Sequence, residues 1–189
     1  MGPARQQQDF TNLLPSATGP WVAFGDSLTQ GASDGNDYPS VLAERLGVRI
    51  VNLGRSGDTT ADALARLDAL TKLKPRVVLV CLGGNDGLQG RSPQSMIANL
   101  RTIITRLQQE GAFVVLIGVR SPSLRDRNAK LFRQLAQQTR VFDVPDILQG
   151  VLGHPSLMAD PLHPNDEGYR RIAERLEQVL RALLPKIGR

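Results

Sequence analysis

Five short apolar runs, each followed by a segment of helical periodicity, limit what this chain can fold into more than any other feature. The runs are WVAFG (Trp21 to Gly25), RIVNLG (Arg49 to Gly54), RVVLVCLGG (Arg76 to Gly84), AFVVLIGV (Ala112 to Val119) and RVFDV (Arg140 to Val144). They are continuous and not alternating, the pattern of strands covered on both faces, as in a parallel sheet held between two helical layers. Between and after them, Pro39 to Leu46, Thr59 to Leu73, Pro93 to Glu110, Arg125 to Gln138 and Asn165 to Leu184 place Leu, Ile and Ala three and four residues apart, which predicts helices. Repeated strand–helix units with right-handed crossovers build an open three-layer α/β sandwich, and ligands in that architecture lie beyond the carboxyl ends of the strands. Chemistry is therefore to be sought in the residues that leave each strand.

A chain of 189 residues fits one domain. The polar, Gln-rich residues 1–19 read as a poorly ordered tail, and 20–189 as a single domain without repeat or linker. No stretch approaches the roughly 18 to 20 apolar residues of a membrane span, and the first 20 residues lack the apolar run of a signal peptide. The expectation is a chain without stable membrane insertion, cytoplasmic as written and periplasmic or secreted if a leader once preceded it; compartment and oligomeric state stay open. Cys81 is the only cysteine and lies in an apolar run, so it reads as a buried, inert thiol. The net charge of +5 raises the question of nucleic acid. Its basic residues are spread through the helical segments with acids between them, and aromatic residues make up only 4%, which leaves few stacking platforms. No nucleic-acid partner is expected.

The strand ends carry a distinctive set of groups. After the first run the chain reads Gly25-Asp26-Ser27-Leu28-Thr29, a turn able to present a hydroxyl at the edge of the sheet. After the second come Gly54-Arg55-Ser56-Gly57-Asp58-Thr59, where Gly57 permits close approach of backbone to a ligand and Asp58 or Thr59 can cap a helix. After the third, Gly83-Gly84-Asn85-Asp86 offers a side-chain amide donor. Ahead of the last helix stands Asp160-Pro161-Leu162-His163-Pro164-Asn165, in which the carboxylate can meet one imidazole nitrogen and leave the other facing outward. The second histidine, His154, has no such company and reads as a surface residue.

A serine hydroxyl is a poor nucleophile until a base takes its proton, and the base needs a partner that holds its tautomer and stabilises its charged form. Ser27, His163 and Asp160 supply these roles. A tetrahedral intermediate then needs donors aimed at its oxyanion; the candidates are the Ser27 and Gly57 N–H groups and the Asn85 amide. Asp26 and Asp86 are expected to support this constellation. An alternative is that Asp26, Asp86 and Asp160 hold Mg²⁺ for phosphoryl chemistry. Another is that the Gly25 to Gly31 turn cradles the phosphate of a flavin.

These blocks, in this order, resemble the SGNH hydrolase superfamily of GDSL esterases and lipases: GDSLT at Gly25 to Thr29, the Gly57 stretch, GGND at Gly83 to Asp86 and DPLHPN at Asp160 to Asn165. The resemblance runs from about Trp21 to about Leu184. It implies a flavodoxin-like α/β sandwich with strand order 2-1-3-4-5. It also implies nucleophile Ser27, general base His163, orienting carboxylate Asp160, oxyanion donors Gly57 and Asn85, and no metal or other cofactor. Within the superfamily the NLGRSGDT and LGGND stretches look most like the bacterial arylesterase, lysophospholipase and acyl-thioesterase branch, whose substrates are small esters and thioesters. A carbohydrate O-acetyl esterase is the alternative inside the same chemistry. The acyl-covering loop of that branch would correspond to Gly87 to Ser92, with Leu88 its only large apolar side chain. Pocket walls are expected from Ala32 to Tyr38 and Arg120 to Asp126, the latter segment basic enough to suit polar or anionic substrate parts.

Overall fold

The computed structural model describes residues 14–31, 36–119 and 127–188. Five strands, β1 (Trp21–Gly25), β2 (Ile50–Gly54), β3 (Val77–Cys81), β4 (Phe113–Ile117) and β5 (Phe142–Val144), form one parallel sheet in the order β2-β1-β3-β4-β5. The expected architecture and strand order are those observed. Alternate strand residues face opposite helical layers. Trp21, Ala23, Val77, Leu79 and Cys81 pack in one core with Tyr38, Leu42, Tyr169, Ile172 and Leu176, whereas Val22, Phe24, Val78 and Val80 pack in the other with Ala63, Leu70, Leu100, Ile103 and Leu107. Two apolar layers on one sheet explain why the runs are continuous. The exceptions are the edge strands, β2 half-buried along its length and β5 half-buried at Phe142 and Asp143.

The helices are α1 (Ser27–Gln30), α2 (Tyr38–Leu46), α3 (Thr60–Ala65), α4 (Leu67–Thr71), α5 (Gly84–Leu88), α6 (Pro93–Gln109), α7 (Arg127–Thr139), α8 (Asp166–Arg181) and α9 (Leu184–Ile187). Among the described residues no helix is long and apolar enough to cross a membrane. Two expected helices are each split. Thr59 to Leu73 breaks at Arg66, whose backbone leaves the helical region at φ −108° and ψ 10°. The last helix ends near Arg181 because Pro185 has no N–H to give the Arg181 carbonyl. Helices α1 and α5 fall where turns were expected; at four and five residues they are too short to show a helical period in sequence.

Of the stretch read as a tail, Ser16 and Ala17 donate backbone hydrogen bonds to the Gly111 carbonyl and Gly19 to that of Lys74, so the residues just ahead of β1 are tied to the domain. Cys81 is fully buried, and burial pushes its thiol well above the ordinary range. At the carboxyl edge of the sheet, Gly25 pairs with Gly54 on one side and Cys81 on the other. The chain therefore leaves β1, β2 and β3 at one level, and the groups that follow those strands share one crevice.

Candidate active site

Ser27 is the first residue of α1. Asp26 caps this single turn: its side chain accepts from the Leu28 N–H at 3.1 Å and its carbonyl from the N–H groups of Thr29 and Gln30. The turn is fastened to its surroundings at Thr29, whose hydroxyl meets the Tyr38 hydroxyl at 3.2 Å and whose carbonyl accepts from Asn52 Nδ2 at 2.9 Å. Being first in the helix, the Ser27 N–H has no helical carbonyl to serve and is free for a ligand.

The Asp160 to Asn165 loop brings the imidazole to that hydroxyl across 136 residues of chain. His163 Nε2 lies 3.0 Å from Ser27 Oγ and His163 Nδ1 2.8 Å from Asp160 Oδ2. The other Asp160 oxygen accepts from the N–H groups of Leu162 (2.7 Å) and His163 (2.8 Å), while the His163 carbonyl accepts from Ala159. These bonds, the Leu162 N–H foremost and the imidazole next, hold the Asp160 carboxyl at about 2. It thus stays ionised down to about that pH and fixes the proton on Nδ1, leaving the Nε2 lone pair for the serine O–H.

Opposite stand the candidate donors. Gly57 adopts φ +83°, and a Cβ there would meet nothing within 4 Å, so glycine is required by backbone conformation and not by space. Asn85 is the second residue of α5, whose N-cap is Gly83 at φ +109°. Its Nδ2 donates to the Asp58 carbonyl at 3.0 Å and only distantly, at 3.4 Å, to Asp26 Oδ2. The first bond fixes the amide; the hydrogen on the long contact is the one a substrate oxygen can claim.

Asp86 braces the helix that carries Asn85. Its buried carboxylate accepts from the Thr60 N–H (2.9 Å) and hydroxyl (2.6 Å), and Asn99 donates to that hydroxyl, so Asp86 locks α5 onto the start of α3 and does not face the crevice. Asp58 does not cap α3 either: Thr59 does so, in a capping box with Asp62, and Asp58 pairs with Arg66 at 2.6 Å. The three aspartates considered for Mg²⁺ thus turn to separate partners, and among the described residues no group of three or more His, Cys, Asp or Glu side chains could hold a metal ion. His154 is exposed.

A cavity of about 190 Å³ opens beside Ser27, lined by Ser27, Gly57, Asn85 and His163 and by the apolar side chains of Leu88, Val119, Leu148, Leu152 and Leu162. Leu88 lies in this wall as the sequence suggested, though in α5 and not in a loop. The wall residues sequence reasoning missed are Leu148 and Leu152, in the segment after β5, Leu162 inside the histidine block, and Val119 just after β4. The rule that pointed to the ends of β1 to β3 applies equally to β5 and would have found the first two. Of the walls expected, Ala32 to Gly35 and Arg120 to Asp126 lie outside the described residues, and Asp37 and Tyr38 are buried, not in the cavity wall.

Asp26 carries an electrostatic cost. It is 2% exposed, and burial raises its carboxyl from near 3.8 to about 6, against the smaller opposing effect of the Leu28 N–H. The folded protein therefore binds this proton more tightly than the unfolded chain. Stability falls as pH rises through the window from about 4 to about 6, by at most roughly 3 kcal/mol from this group. Asn at position 26 keeps an acceptor for Leu28 and removes the titration. Urea unfolding of the parent and Asp26→Asn between pH 4 and 7 should give curves that diverge with rising pH, the variant becoming relatively more stable; parallel curves would show that Asp26 does not titrate there.

Comparison with known proteins gives the family and the fold. The profile of the GDSL-like Lipase/Acylhydrolase family matches residues 23–171. An arylesterase of Vibrio mimicus is 35% identical over 173 residues, covering 84% of this chain and 86% of its own. Thioesterase 1/protease 1/lysophospholipase L1 of Escherichia coli K12 is 34% identical over 174 residues, covering 86% and 84%. The crystal structure of TesA superposes with a TM-score of 0.82 at 34% identity, over 87% of this chain and 99% of that one.

Proposed function

The chain belongs to the GDSL-like lipase/acylhydrolase family, and from that premise we propose that it transfers the acyl group of small carboxylic esters or thioesters to water through Ser27. The observation that carries this reading is the 3.0 Å contact between Ser27 Oγ and His163 Nε2, with Asp160 behind the ring. As Oγ attacks the substrate carbonyl carbon, its proton passes to Nε2, and the carbonyl oxygen becomes an oxyanion facing the Ser27 and Gly57 N–H groups and the Asn85 amide. Collapse breaks the bond to the leaving alcohol or thiol, which takes the proton from Nε2 and departs. Water then gives a proton to Nε2 and attacks the acyl-serine; the second collapse releases the acid and returns the proton to Oγ. Asp160 stays ionised throughout and stabilises the imidazolium. A phosphonate or fluorophosphonate should label Ser27 stoichiometrically, read by peptide mass spectrometry; labelling elsewhere would end the reading.

The aliphatic wall supports a substrate with a short to medium acyl chain. Each methylene taken out of water is worth about 0.8 kcal/mol, or roughly a fourfold gain in kcat/KM where it is realised in the transition state. Across nitrophenyl esters from acetate upward, kcat/KM should climb by about that factor per carbon and level off once the cavity is filled. A flat series, with faster release of acetate from acetylated sugar, would transfer the assignment to a carbohydrate O-acetyl esterase.

A further inference from the structure

Arg66 stands at the break between α3 and α4, and nothing in the catalytic cycle above uses it. Its guanidinium nevertheless reaches three separate parts of the site. Nη2 donates to the Gly25 carbonyl at 3.1 Å, Nη1 to the Leu53 carbonyl at 2.9 Å and Nε to Asp58 Oδ2 at 2.6 Å, while its carbon lies 4.4 Å from the centre of the Phe24 ring. Gly25 closes β1 two residues before Ser27. Leu53 is the penultimate residue of β2. Asp58 follows Gly57 directly, and its carbonyl is the acceptor that fixes the Asn85 amide. One cation thus joins the segments that carry Ser27 and Gly57, and reaches the third donor, Asn85, through the residue whose carbonyl holds its amide.

We propose that Arg66 is a positioning residue for the oxyanion hole, setting the Gly57 N–H and the Asn85 amide at the distance from Ser27 that the tetrahedral intermediate requires. The inference rests on the acyl-transfer reading of the site. The fork geometry of a guanidinium is what allows two carbonyls and a carboxylate to be held at once, which the point charge of a lysine cannot reproduce. Arg55 is no substitute: it approaches Asp58 only at 3.8 Å and is 73% exposed, the condition in which an ion pair contributes little. With a side chain only 6% exposed, Asp58 needs a close cation, and the break in the helix at position 66 is what points that cation back under the strand ends.

The test is kinetic. Arg66→Lys keeps a positive charge for Asp58 and loses the fork, so kcat for a nitrophenyl ester should fall by about 10- to 100-fold with KM within about twofold, assayed well below the melting temperature of the variant. A residue that merely stabilised the fold would move the melting temperature and leave kcat alone. In the double variant Arg66→Lys/Asn85→Ala the losses should fall well short of multiplying, because both substitutions disable the same donor. Asp58→Ala removes the acceptor of the Arg66 Nε–H together with the buried carboxylate, so it breaks the link from the other side, and it should reproduce the kcat loss and the non-additivity even if Arg66→Lys fails to fold. Unchanged kcat in the folded variants, a defect confined to KM, or losses that multiply with Asn85→Ala would overturn the proposal. If instead Ser27→Ala and Asn85→Ala themselves leave kcat intact, the acyl-transfer reading falls and takes this inference with it.

Discussion

Ser27→Ala should lower kcat/KM by on the order of 10⁵ to 10⁶ while leaving the fold in place, since this hydroxyl is the one that meets the His163 imidazole and its removal disables the triad as a unit. The substitution spares the local structure. The cap of α1 is supplied by Asp26 and not by Ser27, and alanine suits a first helical position. What the fold loses is one part-buried hydrogen bond to His163, about 1 kcal/mol. For a domain of this size that is a melting-temperature change of about 2 to 4 °C. Asp160→Asn should lose less, on the order of 10⁴, because the amide can still accept from Leu162 but cannot accept from Nδ1–H, so the imidazole turns to the tautomer that carries its proton on the wrong nitrogen. Steady-state rates on a nitrophenyl ester, normalised by active-site titration, and circular-dichroism melts together decide both. Full turnover in a correctly folded Ser27→Ala protein would remove the serine mechanism.

The parts of this molecule legible in the sequence are those whose cause is local. Continuous apolar runs such as VVLVC reveal strands covered on two faces because each residue, whichever way it points, meets a helical layer. Asp160 and His163 are readable as a pair because three residues of chain bring them together before any long-range contact is made. What stayed hidden depends on partners far away in sequence. The break at Arg66 cannot be inferred from the periodicity of Thr59 to Leu73, because it serves a carbonyl 41 residues earlier, at Gly25. The leucines of the acyl wall share their composition with those of the core: Leu148 is buried like any packed leucine, and only the crevice beside it makes it a pocket residue. Of the two caps the sequence offered, Asp58 or Thr59, Thr59 caps α3 in a box with Asp62, and Asp58 becomes an ion-pair partner because the fold supplies Arg66.

Gly54→Ala should be among the most damaging single-methyl additions to this protein, and it should damage stability and catalysis together. Gly54 ends β2 with an ordinary backbone, so the cost is one of space: a Cβ there would sit 2.1 Å from the Gln30 nitrogen and 2.6 Å from the Gln30 Cα and the Thr29 carbonyl carbon. These are main-chain atoms of α1 and cannot rotate out of the way. Asn52 tightens the same junction, accepting from the Gly54 N–H at 2.8 Å while donating to the Thr29 carbonyl, so the helix that carries Ser27 is seated on the end of β2. Relief requires either lifting α1 or bending β2, and both displace Ser27 from an imidazole anchored elsewhere in the chain. Overpacking costs about 3 kcal/mol at the upper end of its usual range, a fall in melting temperature of about 6 to 12 °C. A displacement near 1 Å costs on the order of 100-fold in kcat. Gly47→Ala, at the C-terminal end of α2 and outside the site, is the control, since its Cβ has open space and the penalty is only the left-handed backbone (φ +65°), about 1 to 2 kcal/mol. Differential scanning calorimetry and active-site titration of the two variants should rank Gly54→Ala as the more destabilised and the slower. Near-parental melting and turnover in Gly54→Ala would mean that α1 does not rest on β2, and that Ser27 is held in place by other contacts.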